Sequence, residues 1–125
     1  MLSDINKKKI GDIGENYAVK YLKKKRYKII ERNFRSKTGE VDIICSKKDT
    51  LVFVEVKARS NSRFGTPAEA VNYYKQKKII LCTKYYLMKH KISNMNIRFD
   101  VIEIFLDNNY KLLDINHIEN AFWER

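Results

Sequence analysis

The sequence predicts an α/β domain in which a central mixed β-sheet is flanked by helices, in the order αβββαββ. Three observations carry this reading. Two segments have apolar residues at helical spacing, and they alternate with groups of short, strand-like apolar runs. The run Leu51 to Val56 is apolar on both faces, the pattern of a central strand covered on both sides. A strand, long helix, strand passage within one sheet calls for a parallel pair joined by a right-handed crossover, whereas three strands joined by short turns form an antiparallel meander.

At 125 residues the chain is long enough for one core and too short for two domains of ordinary size, so a single domain over residues 1–125 is expected. The first helix runs from about Lys7 to Lys25. Ile10, Ile13, Tyr17, Ala18, Tyr21 and Leu22 recur at helical spacing with lysines opposite, and Ser3 or Asp4 serves as cap. Glu15 lies on the flank of that buried face, either as a solvated edge residue or as an acid turned into a site. Tyr27 to Phe34 is the first strand and Ser36 to Gly39 the turn after it. Gly39 to Arg59 then reads as a hairpin.

Arg59 to Thr66 (RSNSRFGT) is a polar, mobile loop containing Arg63, and Pro67 suits the first turn of the helix that follows. That second helix is expected from about Ala68 to His90. Its apolar stripe is Ala68, Val71, Ile79, Cys82 and Tyr86, and Lys75 falls inside it. Lys75 either snorkels to solvent or reaches an anionic site where helix meets sheet, and neighbouring Gln76 can share either role. Asn96 to Phe105 and Tyr110 to Ile115 are strands joined at Asp107, Asn108 and Asn109. The tail HIENAFWER is expected to form a short terminal helix with Phe122 and Trp123 docked back.

Charge narrows the function. Lys plus Arg number 26 against 15 Asp plus Glu, a formal +11, which fits a polyanion partner and most simply nucleic acid. The richness in Lys, Ile and Asn together offers compositional bias as the competing explanation. No apolar run approaches the roughly 18 to 20 residues that span a bilayer. No segment sets a basic face against a Trp/Phe/Leu face, so no membrane partner is expected. The charged start MLSDINKKKIGDIGE lacks the apolar core of a signal peptide, which implies a cytoplasmic protein. Cys45 and Cys82 sit in apolar segments, outside any C-x-x-C pair, and read as small core residues in a reducing compartment.

The chemistry concentrates in GEVDIICSKKDTLVFVEVKAR, Gly39 to Arg59. A charge inside a strand apolar on both faces is costly unless it is paired or binds metal, and Glu55 is such a charge. Alternation puts Glu55 and Lys57 on one face of their strand, and Glu40 and Asp42 on one face of theirs. With Lys47 to Thr50 as a four-residue loop, Asp42 stands directly across from Glu55; an odd loop without a bulge would separate them. Two facing carboxylates repel unless something positive lies between them, and Mg²⁺ or Mn²⁺ does this with one or two carboxylates, water and phosphate oxygens. Asp42 and Glu55 are thus candidate ligands, with the Val56 carbonyl completing the set. Lys57 would orient a water or stabilise transition-state charge. A cross-strand salt bridge of Lys57 is the plainer alternative, and it leaves one acid unpaired.

The pieces Gly14-Glu15, GEVDII, FVEVKAR, FGTPAEAV, YKQKKI and RFDVI, in this order over nearly the whole chain, resemble the YraN family of bacterial proteins. The resemblance implies a restriction-endonuclease-like fold, closest to Holliday-junction resolvases. It implies that Asp42, Glu55 and Lys57 correspond to the D, E and K of the nuclease motif, and Glu15 to the helix-borne acid of resolvases. It also implies that Lys75 and Gln76 occupy a helix position lining the site in some relatives, and that branched DNA is the substrate.

The expected activity is metal-dependent hydrolysis of DNA phosphodiester bonds, with Asp42, Glu55, Lys57 and Glu15 catalytic. Lys75, Gln76, Arg59 and Arg63 would contact nucleic acid. The rival is a nucleic-acid-binding accessory protein of recombination or repair that keeps the fold without turnover. Symmetric cutting of two strands would call for a homodimer.

Overall fold

The computed structural model describes residues 4–60 and 71–124, with side chains described from residue 6 onward. In chain order the elements are α1 (Asp4–Lys24), β1 (Lys28–Ser36), β2 (Gly39–Lys47), β3 (Thr50–Ser60), α2 (Tyr73–Lys89), β4 (Asn96–Leu106) and β5 (Leu112–Phe122). The expected order αβββαββ is therefore found. The five strands form one sheet in sequence order. β1, β2 and β3 pair antiparallel, β3 and β4 pair parallel across α2, and β5 returns antiparallel to β4.

Period-two alternation of the central strands divides the apolar residues between two layers. On one face Ile44, Leu51, Phe53, Phe99 and Val101 pack against Ile79, Cys82 and Tyr86 of α2. On the other, Ile43, Cys45, Val52, Val54, Ile102 and Ile104 pack against Ile10, Ala18, Val19 and Leu22 of α1. Both free cysteines are buried, as core residues should be. α1 sits close on β3 because Gly14 has no side chain: a Cβ there would come within 2.4 Å of the Ala58 Cβ.

Three boundaries differ from the sequence reading. The tail is not a helix. β5 runs to Phe122, because continued pairing with β4 satisfies backbone groups that a short terminal helix would leave open, and a left-handed Asn120 (φ 54°) absorbs the bulge. Phe122 docks by stacking on Phe99 at 5.1 Å between ring centroids, whereas Trp123 stays 59% exposed. α2 begins at Tyr73, where the Asn72 side chain accepts from the Lys75 amide at 2.8 Å as an N-cap. Arg59 belongs to β3 and is half-buried rather than part of a loop. Arg63, Pro67 and Ala68 lie outside the described residues. Among the described residues, no helix is long and apolar enough to cross a membrane.

Candidate functional site

The hairpin register is the even one. Lys47 pairs with Thr50 across the two-residue turn Lys48–Asp49, with Lys48 left-handed (φ 56°), and the ladder continues to Ile43↔Val54. One further step places Asp42 opposite Glu55, on the face covered by α2. Beyond Ile43↔Val54 no backbone pairing continues between β2 and β3. There the Asp42 carboxylate accepts the Val56 amide at 2.8 Å. The strands part at the point where the two acids meet.

Glu55 is 5% exposed. From α2 the Lys75 ammonium reaches its Oε2 at 2.5 Å. That oxygen is buried and has the ammonium as a charge partner but no aligned hydrogen bond. Of the two roles open to Lys75, the helix packing selects the inward one. Burial pushes the Asp42 carboxyl up to about 9, reinforced by the neighbouring Glu55 carboxylate and eased by the Val56 amide. Burial and then the Lys75 ammonium lower the pKa of Lys57, against the pull of Glu55 and Asp42. For Lys75 burial also pulls downward, but the adjacent Glu55 carboxylate outweighs it and the net shift is upward. Asp42, Glu55, Lys57 and Lys75 thus form one electrostatic cluster of two acids and two bases.

Glu15 is buried but stands apart from that cluster. Its Oε1 accepts from Arg32 Nε at 2.7 Å and from Asn33 Nδ2 at 3.1 Å. Asn33, left-handed at φ 54°, lies between the pairs Arg32↔Ile43 and Phe34↔Val41, across β2 from Asp42. Glu15 is therefore tied to the site's edge through β1, with its carboxylate already engaged. Gln76 Nε2 donates to the Val71 carbonyl at 3.1 Å and braces the start of α2. Arg59 continues the Glu55, Lys57 face of β3, with its Nε buried and unpartnered.

Two buried acids of β4 escaped the sequence reading. Asp100 is fully buried on the α1 face, where it accepts from Arg98 Nε (2.9 Å) and the Asn120 amide (3.0 Å) and bonds His117 Nε2 (2.7 Å). Burial alone would raise its pKa, but the His117 and Arg98 bonds hold it below the usual carboxylate range. Glu103, also fully buried, pairs in register with Lys57 on the site's face. Its Oε1 accepts from Asn116 Nδ2 at 2.7 Å, and its Oε2 has no partner. FDVIEIF, like the strand that holds Glu55, sets charges within an apolar central strand, and that is the sequence signal of both acids.

Two adjacent carboxylates, with the Asp42 pKa raised to about 9 by desolvation and then by Glu55, fit a hard divalent cation that accepts oxygen ligands and tolerates retained water. Lys75 stands in for part of that positive charge. Among the described residues, no group of three or more His, Cys, Asp or Glu side chains converges to hold a metal ion.

Comparison with known proteins places the chain. A family model described as "Uncharacterised protein family UPF0102" matches residues 14–104, a span that holds every acid and lysine of the cluster. A UPF0102 protein of Clostridioides difficile (strain 630) is 51% identical over 118 residues, covering 94% of this chain and 100% of the relative. One from Alkaliphilus oremlandii is 53% identical over 118 residues, covering 92% and 98%. One from Caldanaerobacter subterraneus subsp. tengcongensis is 44% identical over 122 residues, covering 97% and 100%. The chain belongs to the uncharacterised protein family UPF0102, the YraN family that its motifs resemble.

Proposed function

We propose that this protein is a metal-dependent endonuclease that hydrolyses DNA phosphodiester bonds, with branched DNA as the substrate that the motif resemblance favours. The observation that carries the reading is the pair formed by half-buried Asp42 and buried Glu55, set where β2 and β3 part and faced by two lysines.

Asp42, Glu55 and the Val56 carbonyl would hold Mg²⁺ or Mn²⁺. The ion supplies Lewis acidity toward the phosphate and lowers the pKa of a bound water. The chain's own residues do the rest. The Val56 amide fixes the Asp42 carboxylate in place. Lys57, whose ammonium is destabilised by burial and by Lys75, is suited to release and regain a proton at Nζ or to face the extra negative charge of the transition state. Lys75, which holds Glu55 in the ion-free site, would be placed to contact a substrate phosphate oxygen. Glu15 positions β1 beside Asp42 through Asn33 and Arg32. Arg59, and Arg63 from the adjoining segment, would contact the nucleic-acid backbone. The protein would act in the cytoplasm, and symmetric cutting would use a homodimer.

The test is cleavage of a panel of branched and linear DNAs with Mg²⁺ or Mn²⁺, with Glu55→Ala as control. Cleavage abolished by the substitution supports the reading, and cleavage that survives it places the activity elsewhere. One observation favours a second reading, a non-catalytic nucleic-acid-binding protein of recombination or repair: Lys75 already neutralises Glu55 without any ion. Calorimetric titration with Mn²⁺ separates the two, since that reading requires no binding sensitive to Asp42→Ala.

A further inference from the structure

Six of the ten exposed large apolar side chains among the described residues lie on one surface, formed by the outward face of α2 and the end of β5: Tyr73, Tyr74, Leu81, Tyr85, Met88 and Trp123. Apolar exposure concentrated in this way marks an interaction surface. Its electrostatic character is equally one-sided. The 17 residues of α2 include Lys75, Lys77, Lys78, Lys84 and Lys89 and no acid, and nearby Glu124 is paired with Lys84. Lys77 lies over the Tyr73 ring at 5.4 Å and Lys78 over the Tyr74 ring at 4.7 Å. Three of these lysines, Lys75, Lys77 and Lys78, sit in the first two turns, near the positive pole of the helix dipole, where an anion rather than a cation is favoured.

Within this surface Tyr73, Gln76, Lys77, Ile80, Leu81, Trp123 and Glu124 line a cleft of about 130 Å³. Its walls are aromatic and aliphatic groups, and its polar groups are an ammonium, an amide and the Glu124 carboxylate, whose charge Lys84 offsets. We infer that this cleft takes an unpaired nucleobase, stacked between Tyr73 and Trp123, with the flanking phosphates held by Lys77 and Lys78. The inference rests on the nuclease reading for its biological sense and deepens it, by assigning the site a substrate with single-stranded character.

The geometry links cleft and cluster. Tyr73 and Lys77 are four residues apart and share one side of α2, while Lys75, between them, points from the opposite side to Glu55. The two sites are separated by about one helix diameter, roughly 10 to 12 Å, or about three stacked nucleotides at 3.4 Å each. A strand crossing the start of α2 can therefore place a phosphate at the cluster and a base in the cleft. Duplex DNA, whose bases are stacked and paired, cannot offer that base without unpairing.

Trp123 is the only tryptophan of the chain and forms one wall, so its fluorescence reports occupancy directly. Titration of the full chain with an oligodeoxythymidylate in EDTA should quench it saturably. A blunt duplex and inorganic polyphosphate should quench it far less. Tyr73→Ser, at an exposed position, should weaken oligonucleotide binding about tenfold, the loss of one stacking partner, with the unfolding midpoint unchanged. Lys77→Ala should lower affinity and the salt dependence together. Equal quenching by duplex or polyphosphate overturns the inference, as does an absence of quenching. A fluorescence change that follows protein concentration without nucleic acid also overturns it, because a second copy then covers the cleft. The readout needs no metal: quenching without cleavage leaves this inference standing and removes the nuclease reading, while cleavage of duplex without quenching does the reverse.

Discussion

Asp42→Asn should make the metal-free protein more stable, and increasingly so as pH rises. The amide retains an oxygen to accept the Val56 amide, now bonded at 2.8 Å, and gains an N–H to offer Glu55, so the local structure is kept while the like charge is removed. In the native fold Asp42 has its pKa pushed up to about 9 by burial and by Glu55, from an ordinary value of 3.8. Between those values the folded state binds one proton more than the unfolded state. The stabilising contribution is thus complete below the unfolded pKa and is lost as pH rises through the folded one. One proton corresponds to about 1.4 kcal/mol per pH unit. From about pH 5 to about pH 8 the variant's advantage should widen by about 4 kcal/mol. Urea denaturation in EDTA across that range measures it. Mn²⁺ should then narrow the gap, because it stabilises only the form with two ionised carboxylates, by about 2.7 kcal/mol at a hundred times its dissociation constant. A gap that does not change with pH, or a wild type that is the more stable at pH 8, would refute the reasoning, since Lys57 and Lys75 would then suffice to keep both acids ionised.

Glu55→Gln should reduce DNA cleavage by more than about 100-fold, the loss of several kcal/mol of metal-borne charge stabilisation, measured as single-turnover rate in Mg²⁺. Lys75→Met should tighten Mn²⁺ binding in calorimetry, because no ammonium competes for Glu55, while lowering the slope of log affinity for DNA against log salt by about one. Asp100→Ala leaves half-buried Arg98 with Glu119 and Tyr27 but deprives the Asn120 amide of its acceptor, and should cost about 1 to 3 kcal/mol in urea denaturation. Its linkage has the opposite sign to that of Asp42. The Asp100 pKa is depressed, so its contribution is present above the unfolded value of about 4 and is lost as pH falls through the folded value; the variant should therefore lose part of its acid-unfolding limb. Gly14→Ala brings a Cβ within 2.4 Å of the Ala58 Cβ and should cost about 1 to 3 kcal/mol, with Ala58→Gly in the same chain restoring much of it.

The local rules of chain geometry carried a large share of this protein. The alternation of VDII and VFVEVK with period two puts Asp42, Glu55 and Lys57 on common strand faces in any sheet that uses these strands. A short turn of even length between Lys47 and Thr50 then fixes the register that brings the two acids opposite. The stripe Val71, Ile79, Cys82, Tyr86 likewise defines the buried face of α2 wherever the helix lies. Boundaries were less legible. His117 to Phe122 extend β5 because the open edge of β4 offers them partners, and no property of the HIENAFWER sequence announces that edge.

Contacts between distant elements needed the tertiary structure. Glu15 sits at an ambiguous helical position, and only the approach of β1 binds it to Arg32 and Asn33. Asp100 becomes a fully bonded structural acid because α1, β4 and β5 bring Tyr21, Arg98 and His117 around it. Lys75 is the sharpest case. Its place in an apolar stripe leaves snorkelling and inward reach equally open, since both satisfy a long flexible cation. The sequence by itself determines which face of each element carries a charge; the packing of α2 across β3 decides that the lysine meets Glu55, because the energy of a buried carboxylate depends on which cation the fold can bring to it.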